Sequence, residues 1–229
     1  MSIIGIEDFF YVSAGNYDFL AENALPYYHE AHKMLVASLH FDREQEIEII
    51  DLGVGSGVTS AYILRNLPNA KIIGIDLFDE MIDAARTRLK SFEKRVTLIK
   101  SDNTEFIKNF NRKVHVIVSA FCIHHLDEKD KKEIFRLIYN RLLPGGRFLM
   151  LDLTTFNDLC LRELARKATI EHMMAHVEDE ECRKQWIHHW NNINIPHPAD
   201  SMVAWLKEAG FKSETIFRNY EVALLEGIR

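Results

Sequence analysis

The stretch IEIIDLGVGSGVTSAYIL, residues 47–64, places Gly53, Gly55 and Gly57 at alternate positions directly after an apolar run. The apolar run predicts a short buried strand, and the residues after the third glycine predict a helix. The glycines therefore occupy a strand-to-helix turn, where a missing side chain lets the backbone approach a ligand and reach positive φ angles. Such turns lie at the carboxyl edge of an open α/β sheet, where ligands bind. The same glycines also suit a tight turn that only packs a helix against a strand.

The rest of the chain continues this alternation of short apolar strands and amphipathic helices. Strands are predicted at 47–52, 71–77, 95–102, 113–121 and 147–154. Because helices separate these strands, they should form a parallel sheet that is covered on both faces. Two more strands within 211–228 are so close in sequence that they should pair antiparallel. We therefore expect a doubly wound α/β fold with a mostly parallel seven-stranded sheet, an antiparallel C-terminal hairpin, N-terminal helices, and a helical insertion before the hairpin.

Composition narrows the classes of function. With 229 residues, 47% of them hydrophobic, the chain can fold as one domain with a sizeable core. Its formal charge of −6 makes nucleic acid an unlikely partner, since nucleic-acid binding needs a basic surface. The cysteines, Cys122, Cys160 and Cys182, show no paired spacing and suit a reducing compartment. The N-terminus lacks the basic flank of a signal peptide and no apolar run is long enough to span a bilayer, so we expect a cytoplasmic protein without a membrane partner.

The glycine turn is compatible with more than one ligand. A Walker-type phosphate loop is excluded because no Gly-Lys-Ser/Thr sequence follows the turn. Residues 55–60 approximate the GxGxxG pattern of dinucleotide sites, and Asp76 lies near the expected position of a ribose-binding acid. Asp51, however, directly precedes the turn, where a carboxylate repels a pyrophosphate but accepts hydrogen bonds from an ammonium group. Asp102 and Asn103 end the third strand and can bind an adenine edge.

Five segments occur in an order that is typical of one family. They are DLGVGSG at 51–57, IGIDLFDEMI at 73–82, KSDN at 100–103, SAFCIHHL at 119–126 and LPGGRFLMLD at 143–152. Together they resemble the successive motifs of class I S-adenosylmethionine-dependent methyltransferases, and the predicted terminal hairpin agrees as well. The resemblance covers residues from about 45 to 155. It implies a Rossmann-like fold, S-adenosyl-L-methionine as the cofactor, and methyltransferase activity.

The resemblance also implies which residues contact the cofactor. Those that would border its methionine portion are Asp51, Gly53, Gly55 and Gly57. Those that would hold its adenosine are Asp76 at the ribose hydroxyls, Leu77 and Met81 at the adenine faces, and Asp102 and Asn103 at the adenine edge. Those that would lie beneath the sulfonium are Ser119, Ala120 and Phe121. Val54 is bulkier than the residue common between the first two glycines, and its side chain is expected to face the sheet.

The ends of the chain resemble, more loosely, carboxy-S-adenosylmethionine synthases and related methyltransferases. The stretches that carry this resemblance are NYDFLAENALPYYHEAHKMLV at 16–36 and ADSMVAWLKEAGFKSETIFRNYEVALLEG at 199–227. Those synthases hold the extra carboxylate of their modified cofactor with an arginine in the helical insertion. This sequence has no arginine at that place, Arg183 being the nearest, which favours ordinary S-adenosylmethionine.

The predicted single methyltransferase domain spans 1–229 and has four parts. These are an N-terminal helical lid at 1–44, a cofactor-binding core at 45–155, a helical insertion at 156–198, and a terminal helix with the hairpin at 199–229.

Methyl transfer requires an aligned nucleophile and often the removal of its proton. His124 follows the fourth strand at its ligand-facing end, and Tyr28 lies in the predicted lid; both are interpreted as catalytic residues. His124 or its neighbour His125 can instead cap the next helix. The residues predicted to bind the substrate are Tyr17, His29, Asp152, His172 and His176. All of these side chains can equally serve packing.

His172 and His176 stand four residues apart on one predicted helix face, a spacing that a metal site can use. No adjacent glutamate completes an HExxH pattern, and the cysteines are not placed as zinc ligands. The sequence therefore predicts no metal site.

Taken together, these patterns favour an S-adenosylmethionine-dependent methyltransferase that acts on oxygen or nitrogen of a small molecule, with a homodimer as one compatible assembly. Three alternatives stay open. The first is a cofactor-modifying enzyme of the carboxy-S-adenosylmethionine, tRNA-modification type. The second is an enzyme of intramolecular S-adenosylmethionine alkylation, and the third is a catalytically silent partner subunit that only binds the cofactor.

Overall fold

A seven-stranded sheet forms the centre of the computed structural model, which describes residues 17–229 and, for Tyr17, the backbone alone. Its strands are β1 (Ile47–Leu52), β2 (Ala70–Asp76), β3 (Val96–Lys100), β4 (Val114–Ala120), β5 (Leu142–Leu153), β6 (Lys212–Asn219) and β7 (Val222–Ile228). The strand order is β3-β2-β1-β4-β5-β7-β6. The first five strands are parallel, and β7 pairs antiparallel with both β5 and β6. The predicted fold class is confirmed.

Two helices precede β1, and the other helices lie in the connections between successive strands from β1 to β6. The helices are α1 (Tyr17–Ala24), α2 (Tyr28–Ala37), α3 (Val58–Asn66), α4 (Asp79–Arg88), α5 (Asn103–Asn109), α6 (Glu128–Arg141), α7 (Leu159–His176), α8 (Glu180–Asn192) and α9 (Ala199–Glu208). Two short 3-10 helices span Lys90–Arg95 and Ile123–His125. Within residues 17–229, none of these helices combines the length and the apolar character needed to cross a membrane.

The two faces of the sheet carry separate apolar cores. Along β1, Ile47 and Ile49 belong to the core under α1, α2 and α3, whereas Ile50 and Leu52 belong to the core under α6 and α9. This division follows from the strand geometry, in which successive side chains point to opposite faces. Burial on both faces explains why the strand is apolar almost throughout.

The insertion is divided into two helices where the sequence suggested one long helical tract. Helix α7 ends at His176, and α8 begins at Glu180. Between them, the side chain of Asp179 accepts a hydrogen bond from the backbone N–H of Cys182. This N-cap stabilises a new helix start, so the polar residues after His176 act as a boundary.

Val54 faces the sheet, as expected from the sequence. It is buried, and a Cβ atom placed on Gly74 of β2 would lie 2.9 Å from its Cγ2 atom. The glycine in the middle of β2 therefore makes room for the bulkier residue in the turn.

Candidate active site

A cleft opens at the carboxyl ends of β1, β2 and β4, where the strand order reverses between β1 and β4. Its empty space, including the part open to solvent, is about 1200 Å³. The residues that line it come from the strand ends, the lid and the turn after β4. They are Asp18, Tyr28, His32, Gly53, Val54, Gly55, Ser56, Val58, Thr59, Asp76, Leu77, Phe78, Met81, Asp102, Asn103, Thr104, Ala120, Phe121, Cys122, Ile123, His125, Leu126 and Ile134.

The glycine turn shapes one wall of this cleft. Gly53, Gly55 and Gly57 have φ angles of 72°, 53° and 85°, a region that disfavours residues with a side chain. A Cβ atom on Gly53 would lie 2.3 Å from the sulfur of Cys122, and one on Gly57 would lie 3.0 Å from Leu89. A Cβ atom on Gly55 would meet no atom closer than 4.0 Å. The backbone at Gly55 is thus bare toward the cleft, as close ligand approach requires.

Asp76 ends β2 at the cleft and is only 8% exposed. Its Oδ2 atom accepts a hydrogen bond from the N–H of Gly55 at 2.9 Å, and its Oδ1 atom accepts one from Phe78 at 3.1 Å. Burial raises the pKa of this carboxyl, while the backbone donors act in the opposite direction. Each oxygen retains capacity to accept a further hydrogen bond, so the predicted contact with two ribose hydroxyls suits this geometry.

Asp51 is fully buried behind the turn and does not line the cleft, contrary to the expected direct border. Its Oδ2 atom accepts a hydrogen bond from the hydroxyl of Ser60 at 2.6 Å. Its Oδ1 atom has no hydrogen-bond partner among the described residues. Burial raises the pKa of Asp51 to about 7. A buried acceptor without a donor is costly, and a cationic donor at the turn would relieve that cost.

The Asp102–Asn103 pair is at the cleft, but the two side chains have different partners. Asn103 accepts a hydrogen bond from the N–H of Gly53 at 3.1 Å and donates one to the sulfur of Cys122 at 3.2 Å. Its amide therefore supports the glycine turn instead of offering both ends to an adenine. Asp102 caps α5 by accepting from the N–H of Glu105, which leaves its second oxygen for an adenine amino group.

The remaining predicted cofactor residues divide between the cleft and the core. Leu77, Met81, Ala120 and Phe121 line the cleft. Ser119 is fully buried and donates its hydroxyl hydrogen to the carbonyl of Leu52, so it positions β4 against β1 without lining the cleft. Gly57 is also outside the lining and is the N-cap residue that precedes α3.

Two stacked aromatic rings, from α2 and from the turn after β4, form another wall of the cleft. Tyr28 stacks on Phe121 with ring centroids 5.6 Å apart and 13° between the planes. Phe121 has a positive φ of 50°, a conformation that is uncommon for a bulky residue and found at functional sites. Tyr28 also lines the cleft. His29 does not, because its ring is exposed and contacts the hydroxyl of Tyr62 at 3.0 Å.

His32 also lines the cleft, although it was not singled out from the sequence. Its Nδ1 atom donates a hydrogen bond to the carbonyl of Tyr28 at 2.9 Å, which leaves Nε2 as the acceptor of the neutral ring. Burial lowers the pKa of His32 to about 4. The signal available in the sequence was its spacing of four from Tyr28, which puts both residues on one face of α2.

His124 is buried beneath the cleft rather than exposed to it. Its Nδ1 atom donates to Oδ1 of Asp152 at 2.5 Å, and its backbone N–H donates to Oδ2 at 2.9 Å. The N–H of Leu153 donates to Oδ1 as well. Asp152 thus orients His124 and does not itself line the cleft, where a substrate contact was expected. Of these two neighbouring histidines, it is His125 that lines the cleft.

Two other predicted substrate contacts, His172 and His176, are not brought to this cleft. His172 and His176 stack on each other with centroids 4.1 Å apart at the end of α7, and neither lines the cleft. Their polar face points outward because the apolar residues of α7, such as Met173, take the buried positions. The side chain of Tyr17 lies outside the described residues.

Asp18 is a cleft residue that sequence reasoning missed. One of its carboxylate oxygens accepts from the hydroxyl of Ser56, and the other pairs with Arg88, which also donates to the carbonyl of Ser56 at 2.9 Å. These contacts attach α1 to the glycine turn. No local pattern marks Asp18, since its partners lie 38 and 70 residues away.

Comparisons with known proteins agree with this geometry. Residues 49–146 match the family model described as a methyltransferase domain. Residues 49–146 carry a methyltransferase domain. The chain is 25% identical to the carboxy-S-adenosyl-L-methionine synthase of Nautilia profundicola, over 90% of the chain and 87% of the relative. It is also 25% identical to the synthase of Campylobacter lari, over 91% and 89%.

Solved structures share the fold of this methyltransferase. An O-methyltransferase family protein from Burkholderia thailandensis aligns over the whole chain with a TM-score of 0.71 and 20% identity. Human N-acetylserotonin methyltransferase, solved in complex with S-adenosylmethionine, aligns over 96% of the chain with a TM-score of 0.61 and 18% identity. The chain spans 64% and 57% of the lengths of these two proteins.

The cofactor of this family is S-adenosylmethionine, and the residues of the cleft suit it. The bare backbone at Gly55 provides the close approach, and Asp76 offers acceptors for the ribose. Asp51 provides a buried carboxylate near the turn, and its Oδ1 atom has no donor within residues 17–229. Leu77 and Met81 supply apolar contact for an adenine ring.

Proposed function

We propose that this methyltransferase transfers the methyl group of ordinary S-adenosylmethionine to an oxygen or nitrogen of a small molecule. The observation that carries the proposal is the charge of the cleft wall. Asp18, Asp76 and Asp102 contribute carboxylates, whereas no lysine or arginine of the described chain lines the cleft. Asp18 is paired with Arg88, which leaves Asp76 and Asp102 as the uncompensated charges. Such a wall attracts the cationic sulfonium and ammonium groups of the cofactor.

The same wall disfavours a carboxylated cofactor, although relatives of this chain are named carboxy-S-adenosyl-L-methionine synthase. An additional carboxylate in a narrow cleft needs a cationic partner. Arg183, the nearest arginine in the sequence, donates to the carbonyl of Val177 at the end of α7. Arg166, also in the insertion, contacts Glu221 and Asn191. Neither arginine lines the cleft.

When bound, S-adenosylmethionine supplies an electrophilic methyl group that an acceptor lone pair displaces from sulfur. The chain must orient that acceptor and receive or pass on the proton it loses. His32 is suited to the first task, because its proton is fixed on Nδ1 and its neutral ring presents Nε2 as an acceptor for an O–H or N–H group. Its low pKa makes it a weak base, so orientation is its main contribution. Tyr28 and Phe121 limit the acceptor to a small molecule that fits beside their stacked rings.

Two titrations test the choice of cofactor. Isothermal titration calorimetry with S-adenosylmethionine and with carboxy-S-adenosylmethionine should show tighter binding of the ordinary cofactor, by tenfold or more. A Thr59→Arg variant introduces a cation into the wall and should narrow that difference. Equal or tighter binding of the carboxylated cofactor by the native chain would contradict the proposal.

The acceptor class needs a separate assay. Release of S-adenosylhomocysteine should be followed with pools of small hydroxyl and amine compounds and, for comparison, with transfer RNA. We expect turnover with at least one small-molecule pool and a reduced rate in His32→Phe, which keeps the ring volume without the acceptor nitrogen. Turnover with transfer RNA alone would favour the tRNA-modifying alternative.

A further inference from the structure

Three histidines converge where the turn after β4 meets the helical insertion. His124 and His125 lie in the 3-10 helix Ile123–His125, and His189 lies in the last turn of α8. One ring nitrogen of each lies within 4.8 Å of one ring nitrogen of the others. The rings of His124 and His125 have centroids 4.0 Å apart, and those of His125 and His189 have centroids 5.4 Å apart at 83°. We refer to these three residues as the histidine cluster.

The cluster is held in place from two sides. Asp152 accepts from Nδ1 of His124, which fixes the orientation of that ring and leaves Nε2 as its second nitrogen. A carboxylate behind a histidine is the arrangement that orients histidine ligands in metal sites. On the other side, the N–H of Ile195, just beyond α8, donates to the carbonyl of His124 at 2.9 Å. The insertion and the β4 turn are therefore joined at this point by the backbone.

Two charged side chains flank the cluster. Asp152, near the end of β5, contacts His124. Lys131 of α6 donates to the carbonyls of Leu126 and Ile195 and contacts His197. Neutral imidazole is the form that binds metal ions, and a carboxylate behind one of the rings favours a bound cation.

We propose that the histidine cluster binds one divalent transition-metal ion, with zinc as the best match to three neutral imidazoles. Three protein ligands leave a fourth position for water or substrate, as in catalytic zinc sites. His125 lines the cleft, so this open position would be accessible to the acceptor molecule. An oxygen bound there would have its pKa lowered by the ion and become a better nucleophile. This role rests on the proposed function, whereas the binding of the ion does not.

Cobalt(II) is a suitable probe, because its visible absorption reports coordination geometry. The native chain, stripped with a chelator and dialysed, should bind one equivalent of Co²⁺ with visible bands of tetrahedral or five-coordinate intensity. No thiolate-to-cobalt band should appear in the near ultraviolet. Zn²⁺ should displace the Co²⁺ and abolish the visible bands.

Variants then locate the ion. His189→Ala should weaken Co²⁺ binding by 100-fold or more, while His176→Ala, in the histidine pair at the end of α7, should bind like the native chain. His189→Cys should restore binding and add a thiolate-to-cobalt band, a new signal that identifies position 189 as a ligand. S-adenosylmethionine titrations of each variant report whether the cofactor site is folded, independently of the metal.

Absence of a Co²⁺ spectrum in the native chain, or equal affinity in native and His189→Ala proteins that both bind S-adenosylmethionine, would overturn the metal site. The histidine cluster would then serve ring packing only. A thiolate band in the native protein would also overturn it, since the ion would be held by cysteines. Failure to bind S-adenosylmethionine with Co²⁺ binding intact would instead contradict the proposed function.

Discussion

Asp51 shows how much a single residue depends on its surroundings. The sequence places a carboxylate beside the glycine turn, and the structure buries it completely. One of its oxygens accepts a hydrogen bond from Ser60, and the other has no donor in the described part of the chain. Burial in an apolar environment disfavours the charged form. Asp51 therefore reduces stability whenever it is ionised in the folded chain without a cationic ligand.

The pH dependence of stability should report this cost. The ordinary pKa of an aspartate, 3.8, applies to Asp51 in the unfolded chain, and burial raises it to about 7 in the folded chain. The folded state thus holds the proton more tightly, and ionisation destabilises the fold as pH rises from about 4 to 7, with no further loss above that range. Urea unfolding of the native and Asp51→Asn proteins at several pH values provides the test. Between about pH 4 and 7 we expect the unfolding free energy of the native chain to fall by up to about 4 kcal/mol relative to that of the variant. The same pH dependence of the unfolding free energy in both proteins would contradict this prediction.

Gly74 and Val54 are packed so closely that the effect of a substitution at one depends on the side chain at the other. A Cβ atom on Gly74 would lie 2.9 Å from Val54 and 3.0 Å from Leu98, both tighter than ordinary contacts. Gly74→Ala should therefore lower the free energy of unfolding by about 1–3 kcal/mol. In the double variant Gly74→Ala/Val54→Ala, the smaller neighbour leaves room for the new methyl group. Its loss of unfolding free energy should therefore be about 1 kcal/mol smaller than the sum of the losses in the two single variants. Strict additivity in urea titrations would show that Val54 is not the obstacle.

At this scale the sequence predicted residue types better than their contacts. Asp76, Leu77 and Phe121 line the cleft because each lies at or just after a strand end, a position that hydrophobic patterns locate well. Met81 lines it from the first turn of α4. Asn103 could not be assigned in the same way, since its two partners, Gly53 and Cys122, are brought to it only by the fold.

At the scale of elements, α1 has a polar connection to the glycine turn in addition to its buried apolar face. Asp18 joins it to Ser56 in the glycine turn and to Arg88 at the end of α4. Both charged side chains are partly exposed, with 35% exposure for Arg88 and 27% for Asp18. Such pairs contribute about 0–1 kcal/mol to global stability. They can nevertheless control local opening of a terminal helix.

Arg88→Ala should therefore change local exchange more than global stability. We expect amide hydrogen exchange in residues 18–24 to become several-fold faster, because the helix loses its attachment to the turn, while the melting temperature changes little. Arg86→Ala is the matched control, since the ion pair that Arg86 makes among residues 17–229 is with Asp83 of the same helix. Mass-spectrometric exchange of both variants provides the measurement, and equal exchange in the two would argue against the role of Asp18.

The helical insertion is the element that the sequence predicted least well. Its helical character was evident, but its division at Asp179 and the direction of its histidines were not. His172 and His176 looked functional because of their spacing, yet His189 is the residue that meets the β4 turn. Helical periodicity defines which residues share a face, but the partner of that face is decided by tertiary packing.

At the scale of the whole molecule, cofactor binding should stabilise the fold by mass action. S-adenosylmethionine at 100 times its Kd contributes about 2.7 kcal/mol. For a chain of this size, each kcal/mol raises the melting temperature by about 2–4 °C, so the expected shift is about 5–11 °C. Asp76→Ala removes the ribose acceptors and should abolish most of the shift at the same cofactor concentration, whereas Asp79→Ala, exposed at the start of α4, should retain it. A full shift in Asp76→Ala would contradict the ribose assignment.

The topology was the most predictable feature of this molecule. Strand and helix periods alternate clearly between 47 and 153, and the shortness of the loop within 211–228 dictates an antiparallel pair. The cleft follows from that topology, because its position at the reversal of strand order is general to open α/β sheets. The part of the cleft proposed to bind the methyl acceptor was less predictable from the sequence, since it combines α2, the β4 turn and the insertion.

The meeting of His189 with the β4 turn has a consequence for how such proteins diversify. The donor side is encoded between residues 51 and 121, while the element that completes the histidine cluster is encoded between 156 and 198. Selection of the methyl acceptor can therefore change in evolution without a change in the methyl donor. A chimaera in which only the insertion at 156–198 is exchanged between relatives should keep its methyl donor and change its preference for acceptor molecules.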